Sequence, residues 1–281
     1  MIVSTKEMLK KANQEGYAVG AFNVEDAEMM QAVLEAAEAM CAPVILQTTP
    51  GTLRYMVPEW FAGMYRASKA KIPVALHLDH GSSSALAQEC IQAGYTSVMI
   101  DGSALPYEEN IQLTQTVCGF AHAAGVSVEA ELGRVGGKED NLDCGDAQYT
   151  DPAQAADFAA RTQVDSLAVA VGTAHGVYAK TPVLDLNRIT QIKKLTDVPI
   201  VLHGASGLSD EVIRQAVEKG AAKINFATEL RIAYSNGIKG YLAESPDAYD
   251  PKKYLSAGKE AVGALVKAKI RLCGCDGKAH G

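Results

Sequence analysis

Apolar spacing along this chain switches repeatedly between a short-run pattern and a helical one. Residues 3–11 carry the spacing of a short amphipathic opening helix. Residues 17–24 form a strand-like apolar run, and residues 27–40, rich in Ala, Met, Leu and Glu, form the first long helix. The alternation then continues. Strands are predicted at 42–49, 73–79, 96–101, 126–132, 165–171, 199–203 and 222–226. Helices are predicted from Pro58 onward, then over 83–92, 107–123, from Asp151-Pro152 to about Thr162, and over 186–195, 209–219 and 229–242. The pattern therefore predicts eight strands, each with a helix after it.

Several of these strands are almost wholly apolar, as expected when helices cover one face and a packed interior the other. Eight such units in a chain of 281 residues predict a closed (β/α)8 TIM barrel. An open doubly wound sheet is the competitor, but no glycine fingerprint follows the first strand. No linker divides the chain, so residues 1–281 are expected to form one domain. Two regions stand outside the repeat. Residues 133–150 form a polar loop longer than an ordinary strand-to-helix connection, expected to be a mobile lid or padding. Residues 249–281 are expected to form a helical extension, its helix over 253–271, of the kind that builds oligomer contacts.

Composition narrows the function. A net charge of −7 and the absence of basic stretches interleaved with aromatics argue against a nucleic-acid surface, while leaving room for a local anion pocket. No apolar run reaches membrane-spanning length. The six cysteines are scattered apart from Cys273-Gly-Cys275, and no signal peptide is evident, so a reduced cytoplasmic location is expected.

Candidate chemistry gathers at strand ends. His80, His175 and His203 each close an apolar run and each precedes glycine. In a barrel they would come from the third, sixth and seventh strands at the C-terminal mouth and could converge on one ion. Neutral imidazole suits zinc, and three protein ligands with one open position is a catalytic arrangement. His77 could simply hydrogen-bond within its strand, and His122 reads as a helix-surface residue. Asp101 and Glu131 also end strands. They could serve a second metal position, orient the histidines, or form a buried ion pair or helix cap. Glu129 and Glu131 share a strand face, so alternation does not choose between them. The segments His203-Gly-Ala-Ser-Gly207 and Asn225-Phe-Ala-Thr228 precede the last two helices, the usual phosphate position in this fold, where Ser206 and Thr228 add hydroxyl donors. Lys180 could add positive charge there or be ordinary surface.

With these blocks in view, the chain resembles the class II, metal-dependent fructose-bisphosphate and tagatose-bisphosphate aldolases. The resemblance runs from Ser4-Thr-Lys to Lys278. It rests on Ala21-Phe-Asn23, Ala42-Pro-Val-Ile45, His77-Leu-Asp-His-Gly81, Glu129-Ala-Glu-Leu-Gly133, Gly172-Thr-Ala-His-Gly176, His203-Gly-Ala-Ser-Gly207 and Asn225-Phe-Ala-Thr-Glu-Leu230. Its length and short final segment look more like the tagatose-bisphosphate branch and its compact fructose-bisphosphate relatives than the long enzymes. The resemblance implies a zinc site at His80, His175 and His203, with Asp101 and Glu131 at an alternative or second metal position. It implies Asp79 as the group exchanging the C4 hydroxyl proton and Glu139, in the loop, as the group exchanging a proton with the ketone fragment. It further implies Asn23 beside the enediolate, and Gly176, Gly204, Ser206, Asn225 and Thr228 at the ketose phosphate, with Na+ or K+ as a possible companion.

The implied substrate is a ketose 1,6-bisphosphate, tagatose favoured and fructose the alternative. The remaining readings are a related ketose 1-phosphate with another distal group, a metal-dependent isomerase or hydrolase acting on a sugar phosphate, and a non-catalytic sugar-phosphate binder. The implied assembly is a homodimer or homotetramer, with an accessory subunit known in part of the tagatose branch. Departures occur at Lys138, where many relatives carry an acid, and at Lys252, where the family commonly has an arginine reaching across subunits to the distal phosphate. Lysine keeps the charge and loses the bidentate fork, a loss that Arg54 or another base could offset. Lys223, on the predicted last strand, is a possible Schiff-base residue in a class I reading, which the metal ligands make the weaker one.

Overall fold

A computed structural model describes residues 1–139, 142–143, 148–176, 182 and 184–279, with backbone alone for 138–139 and 142–143. Eight parallel strands close into a barrel. They are β1 (Val19–Asn23), β2 (Val44–Thr48), β3 (Val74–Gly81), β4 (Ser97–Ile100), β5 (Ser127–Leu132), β8 (Ser166–Val169), β10 (Ile200–Leu202) and β11 (Ala221–Phe226). Around the ring the order is β1, β11, β10, β8, β5, β4, β3, β2 and back to β1. The (β/α)8 expectation is met, strand for strand.

The helices start and stop where their end residues dictate. Helix α2 (Ala27–Ala39) begins at Asp26, whose carboxylate accepts from the Met29 N–H at 2.8 Å. Helices α5 (Ser84–Ala93), α7 (Pro152–Thr162) and α9 (Asp210–Lys219) begin the same way on Ser83, Asp151 and Ser209. Helix α6 (Tyr107–Ala123) has the bounds the spacing predicts. The opening helix α1 (Thr5–Glu15) instead runs past the expected residue 11, stopping only at left-handed Gly16. Helix α4 (Pro58–Ala67) starts at its proline, whereas α3 (Pro50–Tyr55), capped by Thr49, falls in a stretch with no predicted helix. Helix α8 (Asn187–Lys193) completes the outer ring before β10.

Three short strands lie outside the barrel. β6 (Gly136–Glu139) pairs antiparallel with β7 (Leu142–Asp143) and parallel with β9 (Ala174–His175). The expected polar loop therefore contains a hairpin whose inner strand is tied to the segment bearing His175. Beyond β11, α10 (Thr228–Glu244) and α11 (Pro251–Cys273) form an antiparallel pair, and α11 also packs on α2. The C-terminal helix is thus present, slightly longer than its spacing suggests. No helix among the described residues is long and apolar enough to cross a membrane.

The barrel interior is polar toward one end. Register places Asn23 beside Gln47, Gln47 beside His77, His77 beside Ser97 and Ser97 beside Ser127. Lys223 on β11 bonds to Glu129 on β5, and β11 and β5 are not neighbours in the ring. These side chains therefore meet across the barrel axis, and they form the floor of the site.

Candidate active site

Strand β3 supplies two adjacent site residues, although alternation should send neighbours to opposite faces. Its pairing with β4 shifts register between Leu78 and Gly81, and His80 sits in the left-handed region at φ 50°. The irregularity re-aims His80, so that Asp79 and His80 both line the cleft. A non-glycine residue at positive φ stores strain, and such strain gathers at functional sites.

His80, His175 and His203 each offer a ring nitrogen within 4.8 Å of the others'. His203 Nδ1 and His80 Nε2 face one another at 3.1 Å. Tetrahedral zinc with bonds of about 2.0–2.1 Å would hold two nitrogens about 3.3 Å apart, so this pair fits such an ion. The far nitrogens are already engaged: His80 Nδ1 with Asp101 at 2.9 Å, and His203 Nε2 with Glu129 at 2.9 Å. Imidazoles tethered to carboxylates through the non-ligating nitrogen are the usual support of a metal centre. A second group, His80, Asp101 and Glu131, also places its ligand atoms within 4.8 Å. Glu131 Oε2 is buried, makes no hydrogen bond and lies 3.4 Å from His203 Nδ1, so a carboxylate oxygen faces the same point as the histidines.

The electrostatics favour a cation. Burial alone would depress both imidazoles, yet Asp79 and Asp101 hold His80 well above the usual range. Glu129 and Glu131 likewise outweigh burial at His203 and raise it to about 9. A buried site that draws protons onto two histidines is short of positive charge, which a divalent ion would supply. His77, lower in the barrel, is the opposite case: burial and the Lys223 ammonium push it down to about 3, leaving it neutral.

Asp79 is held by three amides. Asn23 Nδ2 donates to Oδ2 at 3.0 Å, Gln47 Nε2 to the same oxygen at 3.2 Å, and Asn225 Nδ2 to Oδ1 at 3.1 Å. Burial opposes ionisation, but His80, His203, Lys223 and His77 outweigh it and bring the carboxyl to about 2. Asp79 is thus ionised at neutral pH and placed to accept a proton.

Beside these residues a narrow cleft is lined by Asn23, Asp79, His80, His175, Gly176, Gly204, Ser206, Asn225, Ala227 and Thr228. Thr228 opens α10, a helix whose N-cap Ala227 supplies no side-chain cap. The Leu230 N–H donates to the Ala227 carbonyl at 3.0 Å, and the positive end of the helix dipole at Thr228 and Glu229 faces the cleft end where an anion would sit. Ser206 Oγ accepts from the Ala227 N–H at 3.1 Å and ties the two candidate phosphate loops together.

Most of the predicted site residues are thus brought together. Lys180 lies outside the described residues, as does the Glu139 side chain, of which the backbone alone is placed in β6. Lys252 is not in the cleft: it sits near the start of α11, its side chain 85% exposed and paired with Asp250 at 2.9 Å. Arg54, too, is exposed. His122 lies on α6 and bonds Asp165, consistent with the surface reading. Gln47, Glu129 and Lys223 have roles the spacing does not reveal. Gln47 is the one amide inside the run Val44-Ile-Leu-Gln47, and that solitary polar position was the available signal.

A family model for class-II fructose-bisphosphate aldolase matches residues 3–278. The chain belongs to that family. Among solved structures it is similar to the YdjI aldolase from Escherichia coli K12, with 39% identity, a TM-score of 0.89 and full coverage of both chains. It is also similar to the fructose-bisphosphate aldolase Fba from Campylobacter jejuni, with 25% identity and a TM-score of 0.85 over 99% of this chain and 97% of that one. The protein is accordingly an aldolase-type lyase on a TIM barrel.

Proposed function

We propose that the protein cleaves a ketose 1,6-bisphosphate, with tagatose 1,6-bisphosphate favoured, to glycerone phosphate and glyceraldehyde 3-phosphate, and runs the reverse condensation. The observation that carries this reading is the convergence, in one cleft, of three imidazoles, the amide-held carboxylate of Asp79 and the uncapped start of α10. His80, His175 and His203 would hold the zinc, with Asp101 and Glu131 as an alternative position. Bound there, zinc would polarise the ketone carbonyl and offset the charge developing on its oxygen. Asp79 takes the C4 hydroxyl proton as the C3–C4 bond breaks, its electron pair passing toward the C2 carbonyl. Glu139 returns a proton to C3. Asn23 and Asn225 keep Asp79 aimed, while Gly176, Gly204, Ser206 and Thr228 grip the ketose phosphate and Lys180 adds positive charge. Binding there is remote from the broken bond and fixes the substrate for attack. Lys252, exposed on this chain, would reach a distal phosphate only in a neighbouring copy's site.

The fructose epimer is the second reading, favoured by the family description and by the Campylobacter relative. The two substrates differ only at C4. A coupled assay on zinc-loaded protein with both bisphosphates, beside an EDTA-treated control, tests the proposal. EDTA-sensitive cleavage with tagatose faster is the expected result. Faster fructose cleavage would reverse the epimer assignment, and no cleavage of either by zinc-bound protein would overturn the bisphosphate reading.

A further inference from the structure

Lys223 is fully buried in the barrel and outside the cleft, so a nucleophilic amine is not what its position offers. Its ammonium lies 2.7 Å from Glu129 Oε2. Glu129 turns its other oxygen, Oε1, to His203 Nε2 at 2.9 Å. An ionised carboxylate only accepts, so the bond to Glu129 places the proton of neutral His203 on Nε2. The Nδ1 lone pair then faces His80 Nε2 at 3.1 Å.

The ammonium is itself anchored from the other side. An ammonium only donates, so His77 Nε2, at 3.4 Å, is an acceptor and its Nδ1–H donates to Ser97 Oγ at 2.7 Å. Ser97 Oγ meets Thr5 Oγ1 at 3.0 Å, and Thr5 Oγ1 meets Ser127 Oγ at 2.7 Å. Ser166 Oγ gives Glu129 Oε2 a further, longer contact of 3.4 Å. A continuous polar ladder thus runs from the start of α1 through the barrel to the back of His203.

We propose that Lys223 is a positioning residue of the metal centre, which through Glu129 fixes His203 in the orientation and tautomer whose Nδ1 faces the ion. The proposal rests on the reading of His80, His175 and His203 as metal ligands. Without Lys223 the carboxylate loses the ammonium charge and its shortest contact at Oε2, leaving there only Ser166 at 3.4 Å and His77 at 3.8 Å, so Oε1 is held less firmly on His203. Partners of metal-bound histidine commonly carry about 10–100-fold of metal affinity.

The test is zinc affinity by competition with a chromophoric chelator, read with the visible spectrum of the cobalt-loaded protein and with kcat and KM. The parent chain should bind zinc tightly and His203→Ala should lose it; parental affinity in H203A would sink the ligand reading itself. Given that difference, Lys223→Met (K223M) should bind zinc about 10–100-fold more weakly, with altered cobalt bands. Its kcat should fall while KM stays near the parental value. Glu129→Gln (E129Q) should lose a similar amount, and K223M/E129Q no more than the worse single variant, because both act through one imidazole. The double variant leaves no uncompensated buried charge and stands in for K223M if that protein does not fold. Parental zinc affinity and cobalt spectrum in K223M, or in the double variant, would overturn the proposal, as would losses that add.

Discussion

Asp79 shows how much a single carboxylate's surroundings decide. Three amide donors point at its two oxygens, so an amide in its place would set N–H against N–H on one side. Asp79→Asn (D79N) should therefore lose both the proton acceptor and part of its support. We expect kcat to fall by about 10²–10⁴-fold, the usual contribution of a general base. Zinc content should stay at the parental level, since the histidines keep their partners. Metal analysis beside steady-state kinetics checks this, and a kcat within a few-fold of the parent would remove Asp79 from its role. The residue was easy to nominate from the sequence and its placement was not. Adjacent strand residues should diverge, and only the bulge at His80 brings both to one cleft. Glu129 and Glu131 were indistinguishable for a related reason: they share a face, and what separates them is depth. Glu129 lies on the floor with Lys223, and Glu131 one step up beside the histidines. Depth in a barrel comes from stagger between strands, which a local pattern does not carry.

At the scale of elements, the informative piece is the short strand β9. Gly137 on β6 aligns with His175, and a Cβ on Gly137 would meet the His175 carbonyl oxygen at 2.4 Å. Gly204, after β10, presses on the other side, where a Cβ would meet the Ala174 oxygen at 2.6 Å. The backbone bearing His175 is thus clasped between two glycines, both at positive φ. Gly137→Ala (G137A) forces an L-residue into that region at about 1–2 kcal/mol and drives a methyl into the His175 peptide. The expected outcome is a lower melting temperature together with weaker zinc binding, measured by calorimetry and chelator competition. Melting that falls while zinc affinity holds would show that β6 does not set the position of His175. The pairing of β6 with β9 leaves no local period because the partners are almost forty residues apart, and the β6–β7 hairpin is too short and polar to show one. The barrel strands were legible for the opposite reason. Burial on both faces makes each a continuous apolar run, and capping residues such as Asp26 and Ser83 mark where helices begin.

Across the whole molecule, the C-terminal helix reaches the proposed phosphate site by a route the eight-fold repeat does not contain. Lys269 on α11 is almost fully buried, with its Nζ 2.8 Å from Glu229 and 5.1 Å from the Phe226 ring centroid. Phe226 in turn stacks on Phe22 of β1, with centroids 5.5 Å apart. Glu229 follows Thr228 directly, in the first turn of α10, and its other oxygen, Oε1, is buried with no hydrogen bond. Lys269 therefore neutralises a carboxylate sitting beside the proposed phosphate grip. In a chain of net charge −7, an anionic substrate has to be drawn in by local fields of this kind. Lys269→Met (K269M) should leave Glu229 uncompensated and raise KM for the ketose bisphosphate roughly tenfold, equivalent to about 1.4 kcal/mol. Zinc affinity should not change, because neither residue touches the histidines. Removing both charges in K269M/E229Q should recover most of the lost affinity, since the penalty belongs to the unpaired carboxylate and not to the missing side-chain volume. If the double variant binds substrate as poorly as K269M, α11 acts on the site through packing alone, and the electrostatic link between the extension and the phosphate end is wrong.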